Sequence, residues 1–281
     1  MKRHASHILA ALVLAGLACA TAQAAARPRT LAIVPENSKR WEASLADVKA
    51  VLYSAANELW RHVPERELKP IHVAPKGGPI VLFRRGPKGE YYVRLATGKT
   101  YWCQYAFQFA HEFCHILCRY EEMERANKWF EESLCEMASL FALRGMAVTW
   151  RTHPPYPNWR DFSSALRSYA DERTGKSALP EGTTLAQWLR THEAALRKDS
   201  CIRDKNLIVA TVLLPLFEKH PEHWQAVQYL NLGARKERRT FPRYLADWHR
   251  HAPETHKPFV LHIARLFGIV LAELPPPAPD A

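Results

Sequence analysis

The sequence predicts an α+β fold: a small antiparallel sheet packed on a helix that carries "HEFCH", followed by a mostly helical second subdomain. Three observations predict it. Short β-rich runs, "IHVAP", "PIVLFRR" and "YYVRLAT", fill residues 71–97 between the turn signals "KGG" and "GPKG". Tyr101–Tyr120 is then long, apolar and free of proline and glycine, and Asn127–Met146 reads as a second helix with Asn127 as its N-cap. Beyond Pro157 every segment repeats its apolar residues at helical spacing.

The first element is a leader. Lys2 and Arg3 precede an apolar run from Ile8 to about Ala20, and Ala22-Gln23-Ala24 offers a small-x-small cleavage site. The run is too short to span a membrane comfortably. Residues 1–24 are therefore expected to be a signal peptide, whose removal from the 281 leaves a periplasmic or secreted protein of 257 residues from Ala25. No later segment reads as membrane-spanning.

From Trp41 to His62, apolar residues at 41, 45, 48, 52, 55 and 59 share one helix face, and Pro64 ends the helix. The strands follow, the last two as a hairpin, with "YYVRLAT" expected at the sheet edge, where it can pair with an extended peptide. After the two long helices come helical segments at about 159–173, 184–198, 203–219, 221–231, 241–250 and 256–272. Among them "LIVATVLLPLF", Leu207–Phe217, is apolar nearly all round and predicts a central buried helix kinked near Pro215. "PPPAPDA", residues 275–281, reads as a disordered tail.

The net charge of +11 falls to +9 once Lys2 and Arg3 are removed, which favours anionic partners such as cell-envelope polymers or acidic peptides. "RKERR", Arg235–Arg239, reads as a solvated loop, and the absence of stacking aromatics around it disfavours nucleic acid. Five of the six cysteines follow the leader, an odd number that leaves at least one free thiol in an exported protein. Cys114 and Cys118, one turn apart, are poorly placed to bond each other, so a bridge is expected from one of them to Cys103, Cys135 or Cys201.

In "HEFCH" the histidines at 111 and 115 are i and i+4 on a helix, so both rings project from one face and can share a cation. Glu112 lies about 100° round, where a carboxylate can take a proton from metal-bound water without binding the metal. A third ligand is needed, and "WFEESLCE" offers Glu131, Glu132 and Glu136. Glu132 is selected because Glu136, one turn further on its face, can accept the outer N–H of a ligand histidine. Cys114 and Cys118 read as buried small residues or disulfide partners rather than ligands.

"HEFCH", sixteen residues, then Glu132 inside Trp129-Phe130-Glu131-Glu132-Ser133 resembles the gluzincins, the zinc peptidases in which H-E-x-x-H is followed by a glutamate ligand on a second helix. The resemblance covers about 30 residues. It implies a zincin-like fold, with residues 25–150 as the subdomain holding the metal and 151–274 as the helical one. It also implies Zn2+ held by His111, His115 and Glu132, with Glu112 as general base. The motif by which such aminopeptidases hold a free amino terminus is absent, as is the third histidine of the metzincins. The expected function is an exported zinc metallopeptidase, endopeptidase-like, acting on peptide or protein. The alternative is a zincin-fold protein that binds zinc for envelope binding or assembly without cleaving peptides. His153 and Tyr156, in "RTHPPYPNW", are the candidates for a donor to the tetrahedral oxyanion.

Overall fold

A computed structural model describes residues 30–120, 126–233 and 239–271. The leader, the tail and most of "RKERR" lie outside the described residues. The chain is α+β, with a small sheet and a larger helical part.

The sheet holds four strands in the order β1 (Ile33–Pro35), β2 (Ile71–Ala74), β4 (Tyr91–Arg94), β3 (Ile80–Val81). It is mixed rather than antiparallel. β1 pairs parallel with β2 (Ile33 opposite Ile71) and β2 parallel with β4 (Ile71 opposite Tyr91). Only β3 and β4 form the expected antiparallel pair, with Val81 opposite Val93. Parallel neighbours need a long crossover, and helix α1 (Leu45–Trp60) supplies it between β1 and β2. "YYVRLAT" is consequently an interior strand with both backbone edges paired, and the sheet ends instead at β3.

α1 starts later than its apolar period suggests, because Ser44 caps it by accepting from the Asp47 amide at 3.1 Å. Trp41 sits ahead of it in a 3₁₀ turn, fully buried, its indole N–H donating to the Glu36 carbonyl. Helix α2 (Trp102–Leu117) closes in a Schellman turn: Arg119 takes a left-handed φ of 55°, and the Tyr120 amide reaches back to the His115 carbonyl at 3.1 Å. Arg66 caps the same end through the Ile116 carbonyl at 3.0 Å. The Tyr120 hydroxyl then donates to the Leu82 carbonyl, which ties the chain just beyond β3 to the end of the site helix.

Helix α3 (Lys128–Thr152) is the central one, buried at every position from Trp129 to Leu143 and packed on α1, α2, α4 (Ser163–Gly175) and α6 (Arg203–Lys219). Asn127 precedes it but makes no side-chain cap. Its amide instead donates to the Arg239 carbonyl at 2.9 Å and accepts from Arg197 at 2.7 Å. α6 holds the run expected to be central, yet it is only half buried, with Pro215 exposed, and the helix runs on through that proline to Lys219. The remaining helices are α5 (Leu185–Lys198), α7 (Trp224–Val227), α8 (Phe241–His251) and α9 (Lys257–Leu266).

The first turn of α3 is fixed by aromatic packing. Trp129 lies 4.6 Å from Phe241, and Phe130 contacts Phe241, Trp248 and Phe267 at 5.4 to 6.0 Å between ring centroids. Burying each such ring contributes about 1.5–3 kcal/mol. The two residues after this anchor are Glu131 and Glu132, two of the carboxylates of the site.

Candidate metal centre

α2 and α3 face each other beneath a cleft of about 390 Å³ that is walled on one side by the β3 edge. His111 and His115 stand one turn apart on α2 with ring centroids 5.1 Å apart. Both Nε2 atoms face one oxygen of Glu132: the Oε2 lies 3.2 Å from His111 and 3.6 Å from His115. The other Glu132 oxygen takes the Lys128 ammonium at 3.1 Å.

The outer ring nitrogens differ. His115 Nδ1 is 2.6 Å from Glu131 Oε1, while Glu131 Oε2 accepts from the Asn231 amide at 2.7 Å and Asn231 accepts from the Tyr244 hydroxyl at 2.9 Å. The His111 Nδ1 lies 3.9 Å from Glu136, beyond hydrogen-bond reach. The orienting role expected of Glu136 thus falls, for His115, to Glu131. Position 131 precedes 135 by one turn, and that whole face of α3 meets α2. Sequence periodicity places 131, 132, 135 and 136 on one broad face without saying which contacts which histidine. Nothing local marks Asn231 or Tyr244, which arrive from about a hundred residues downstream.

Cys135 is a donor that sequence reasoning missed. Its sulfur and one nitrogen each of His111 and His115 all lie within 4.8 Å of one another, so this group can hold a metal ion. Two candidate third donors therefore stand near the histidine pair, Glu132 at 3.2 and 3.6 Å from the Nε2 atoms and Cys135 within 4.8 Å of a nitrogen on each ring. Cys114 and Cys118 are buried beside it with sulfurs 4.0 Å apart, and all five described cysteines are free thiols, so the expected bridge is not formed. Cys114, Cys118 and Cys135 pack as buried thiols, Cys103 is only part-buried and Cys201 is exposed.

The two Glu132 contacts have the spacing of neighbouring donors on a tetrahedral ion. Bonds of about 2.0–2.1 Å at tetrahedral angles set ligand atoms about 3.4 Å apart, and the nitrogen-to-oxygen separations here are 3.2 and 3.6 Å. Electrostatics agree with convergence. Burial disfavours the charged rings, but Glu132 and the neighbouring carboxylates outweigh it and raise both histidines. Burial likewise favours a neutral Glu132, yet His115 and His111 hold its carboxyl far below the usual range.

Glu112 points to the β3 side and is nearly fully buried. Burial raises its carboxyl, partly offset by both histidines and by the Val81 amide. Burial also raises Glu136, and it pushes the Cys135 thiol well up, with Cys114 and Cys118 adding to the shift.

His153 and Tyr156 do not reach this centre. His153 follows the last residue of α3, seventeen residues past Glu136 and so about 25 Å along the axis at 1.5 Å per residue. Tyr156 packs edge-on against Trp159 at 4.9 Å. The polar groups that do line the cleft from the second half of the chain include Asn206, Asn231, Tyr244, Arg203 and the Arg173–Tyr169 pair, in which the guanidinium donates to the phenol at 2.6 Å. Arg239, expected in a solvated loop, is buried and paired with Asp247.

Comparison of the chain with protein-family models, with curated proteins and with solved structures returns no match.

Proposed function

We propose that the chain is an exported zinc-dependent metallopeptidase of gluzincin type, in which His111, His115 and Glu132 hold the metal and Glu112 is the general base. The observation that carries this reading is the approach of both Nε2 atoms to one Glu132 oxygen at 3.2 and 3.6 Å, with Glu112 buried beside them. Zinc, when bound, lowers the pKa of water toward about 7 and polarises a carbonyl oxygen.

The rest falls to the chain. Glu112, its carboxyl raised by burial, is suited to take a proton from the attacking water near neutral pH and return it to the leaving amine. Glu131 holds His115 in the tautomer that leaves Nε2 free for a cation. β3 is a short edge strand bordering the cleft, and a sheet edge is where an extended peptide can pair. Among the described residues no helix is long and apolar enough to cross a membrane, and the basic leader supports a periplasmic or secreted location. The surface charge favours anionic envelope polymers as further partners.

A second reading, a zinc-holding protein of envelope binding or assembly, is favoured by one observation: His111, His115 and the buried Cys135 form a group that could hold an ion with a thiol donor that peptide hydrolysis does not need. Metal content and cleavage of a quenched peptide, measured on the same samples, separate the two. One zinc per chain, lost in Glu132→Gln and His111→Ala, with cleavage stopped by a chelator, is the expected result. Zinc without cleavage leaves the second reading, and no zinc removes both.

A further inference from the structure

One end of the cleft takes no part in holding a metal. Phe107 precedes His111 by four residues, so it stands one turn, about 6 Å, further back along α2. The wall there is made by Tyr169 and Arg173 of α4 and by Arg203, the first residue of α6. The Arg173 guanidinium lies 3.6 Å over the Tyr169 ring and 4.7 Å from the Phe107 ring centroid. It donates to the Tyr169 hydroxyl at 2.6 Å and to the Tyr169 carbonyl at 3.4 Å. Two aromatic faces and two hydrogen bonds thus fix this group, and three of its five N–H donors have no partner among the described residues.

Charge pairing sets this end apart. Other cations of the cleft and of α4 are neutralised: Lys128 by Glu132, Arg239 by Asp247, Arg167 by Asp171, and Lys176 by Glu172. Among the described residues neither Arg173 nor Arg203 lies within ion-pair distance of a carboxylate, although Glu136 is close enough to be attracted to both. A second hollow of about 320 Å³ adjoins the cleft here and shares Phe107, Glu136, Arg173 and Arg203 with it. A guanidinium offers paired donors that match the two oxygens of a carboxylate, and one held in place beforehand loses little freedom on binding. The 6 Å from His111 to Phe107 is roughly the length of two extended residues.

We infer that Arg173 and Arg203 form a carboxylate-binding subsite, which selects peptides carrying an acidic side chain or a free C-terminal carboxylate within about two residues of the bond cleaved. This rests on the peptidase reading above and names its substrate class.

The test is digestion of a mixed peptide library by the zinc-loaded full chain, with cleavage sites read by mass spectrometry and zinc content measured on the same samples. Sites should be enriched several-fold for a carboxylate within two residues. A cleaved peptide is then remade with Gln for Glu or Asn for Asp, and separately with an amidated C-terminus; the change that slows cleavage identifies which carboxylate is bound. Arg203→Met should lower kcat/KM about 10–100-fold more for the acidic peptide than for its neutral match, an effect on the ratio that general damage to the fold would not give. Arg203 is exposed, so this variant keeps the packing that Arg173→Met disturbs. Cleavage without preference for a carboxylate, or a preference that survives Arg203→Met and Arg173→Met alike, would overturn the inference and leave the peptidase standing. Bound zinc without any cleavage would overturn both.

Discussion

On the His115 side of the centre, the outer ring nitrogen meets Glu131 at 2.6 Å, and the carboxylate is held in turn by Asn231 and Tyr244 at 2.7 and 2.9 Å. On the His111 side, Glu136 stands 3.9 Å off, and among the described residues no hydrogen bond to that outer nitrogen is formed. One histidine is fixed through a chain that reaches into α8; the other is positioned only by its helix and by Glu132. Under the proposed metal reading, one histidine is held firmly and the other is adjustable.

The largest effect separates chemistry from this scaffolding. Glu112→Gln removes the base but neither histidine's support, so peptide turnover should fall by about 10²–10⁴ while metal content stays at that of the unaltered chain. Metal analysis beside the cleavage assay checks it, and loss of metal with activity would mean that Glu112 is a ligand.

The comparison itself is broken most directly by neutralising the two bracing carboxylates in turn. Glu131→Gln should weaken metal affinity about 10–100-fold, the usual result of removing a carboxylate that orients a ligand histidine. Glu136→Gln should cost less than about tenfold, because at 3.9 Å no hydrogen bond is lost. Competition titration against a zinc chelator reads both. Equal losses would mean that His111 is braced as firmly as His115 once metal is bound.

The sequence marked the metal half of this asymmetry and missed its cause. H-E-x-x-H and the glutamate on the next helix are local patterns set by helical period, and the α2, α5, α6 and α8 bounds likewise followed from caps and apolar spacing. Glu131, Asn231 and Tyr244 act together only because α8 and the chain after α7 return to the start of α3. That contact is tertiary and leaves no spacing to read. The sheet failed for a similar reason. β1 has three residues and no period, and its parallel pairing with β2 depends on how α1 crosses over, which residue alternation does not encode. Burial of α6 was overestimated because apolar composition does not say which helix is surrounded; α3, with a mixed composition, is the one enclosed on every side.

Glu58 sharpens the comparison away from the metal and carries the smallest expected effect. It is a buried carboxylate of α1, set against Gly145 of α3, where an added Cβ would lie 2.5 Å from its Oε2. Thr149 donates to one oxygen at 2.8 Å and Arg61 approaches the other at 2.5 Å without hydrogen-bond alignment. Burial nevertheless dominates and raises its carboxyl above the ordinary value of 4.5, with Arg61 and Thr149 only partly offsetting it. The sign follows: below the ordinary value the group is protonated in both folded and unfolded chains and costs nothing. As pH rises past that value the unfolded chain ionises first and stability falls, levelling off above the raised folded value. Glu58→Gln should therefore leave Tm unchanged in acid and raise it modestly at neutral pH. Thermal unfolding of both chains across that range is the check, and a variant less stable at neutral pH would show that the Arg61 contact outweighs burial. The same sign is expected of Glu136, since burial raises it as well.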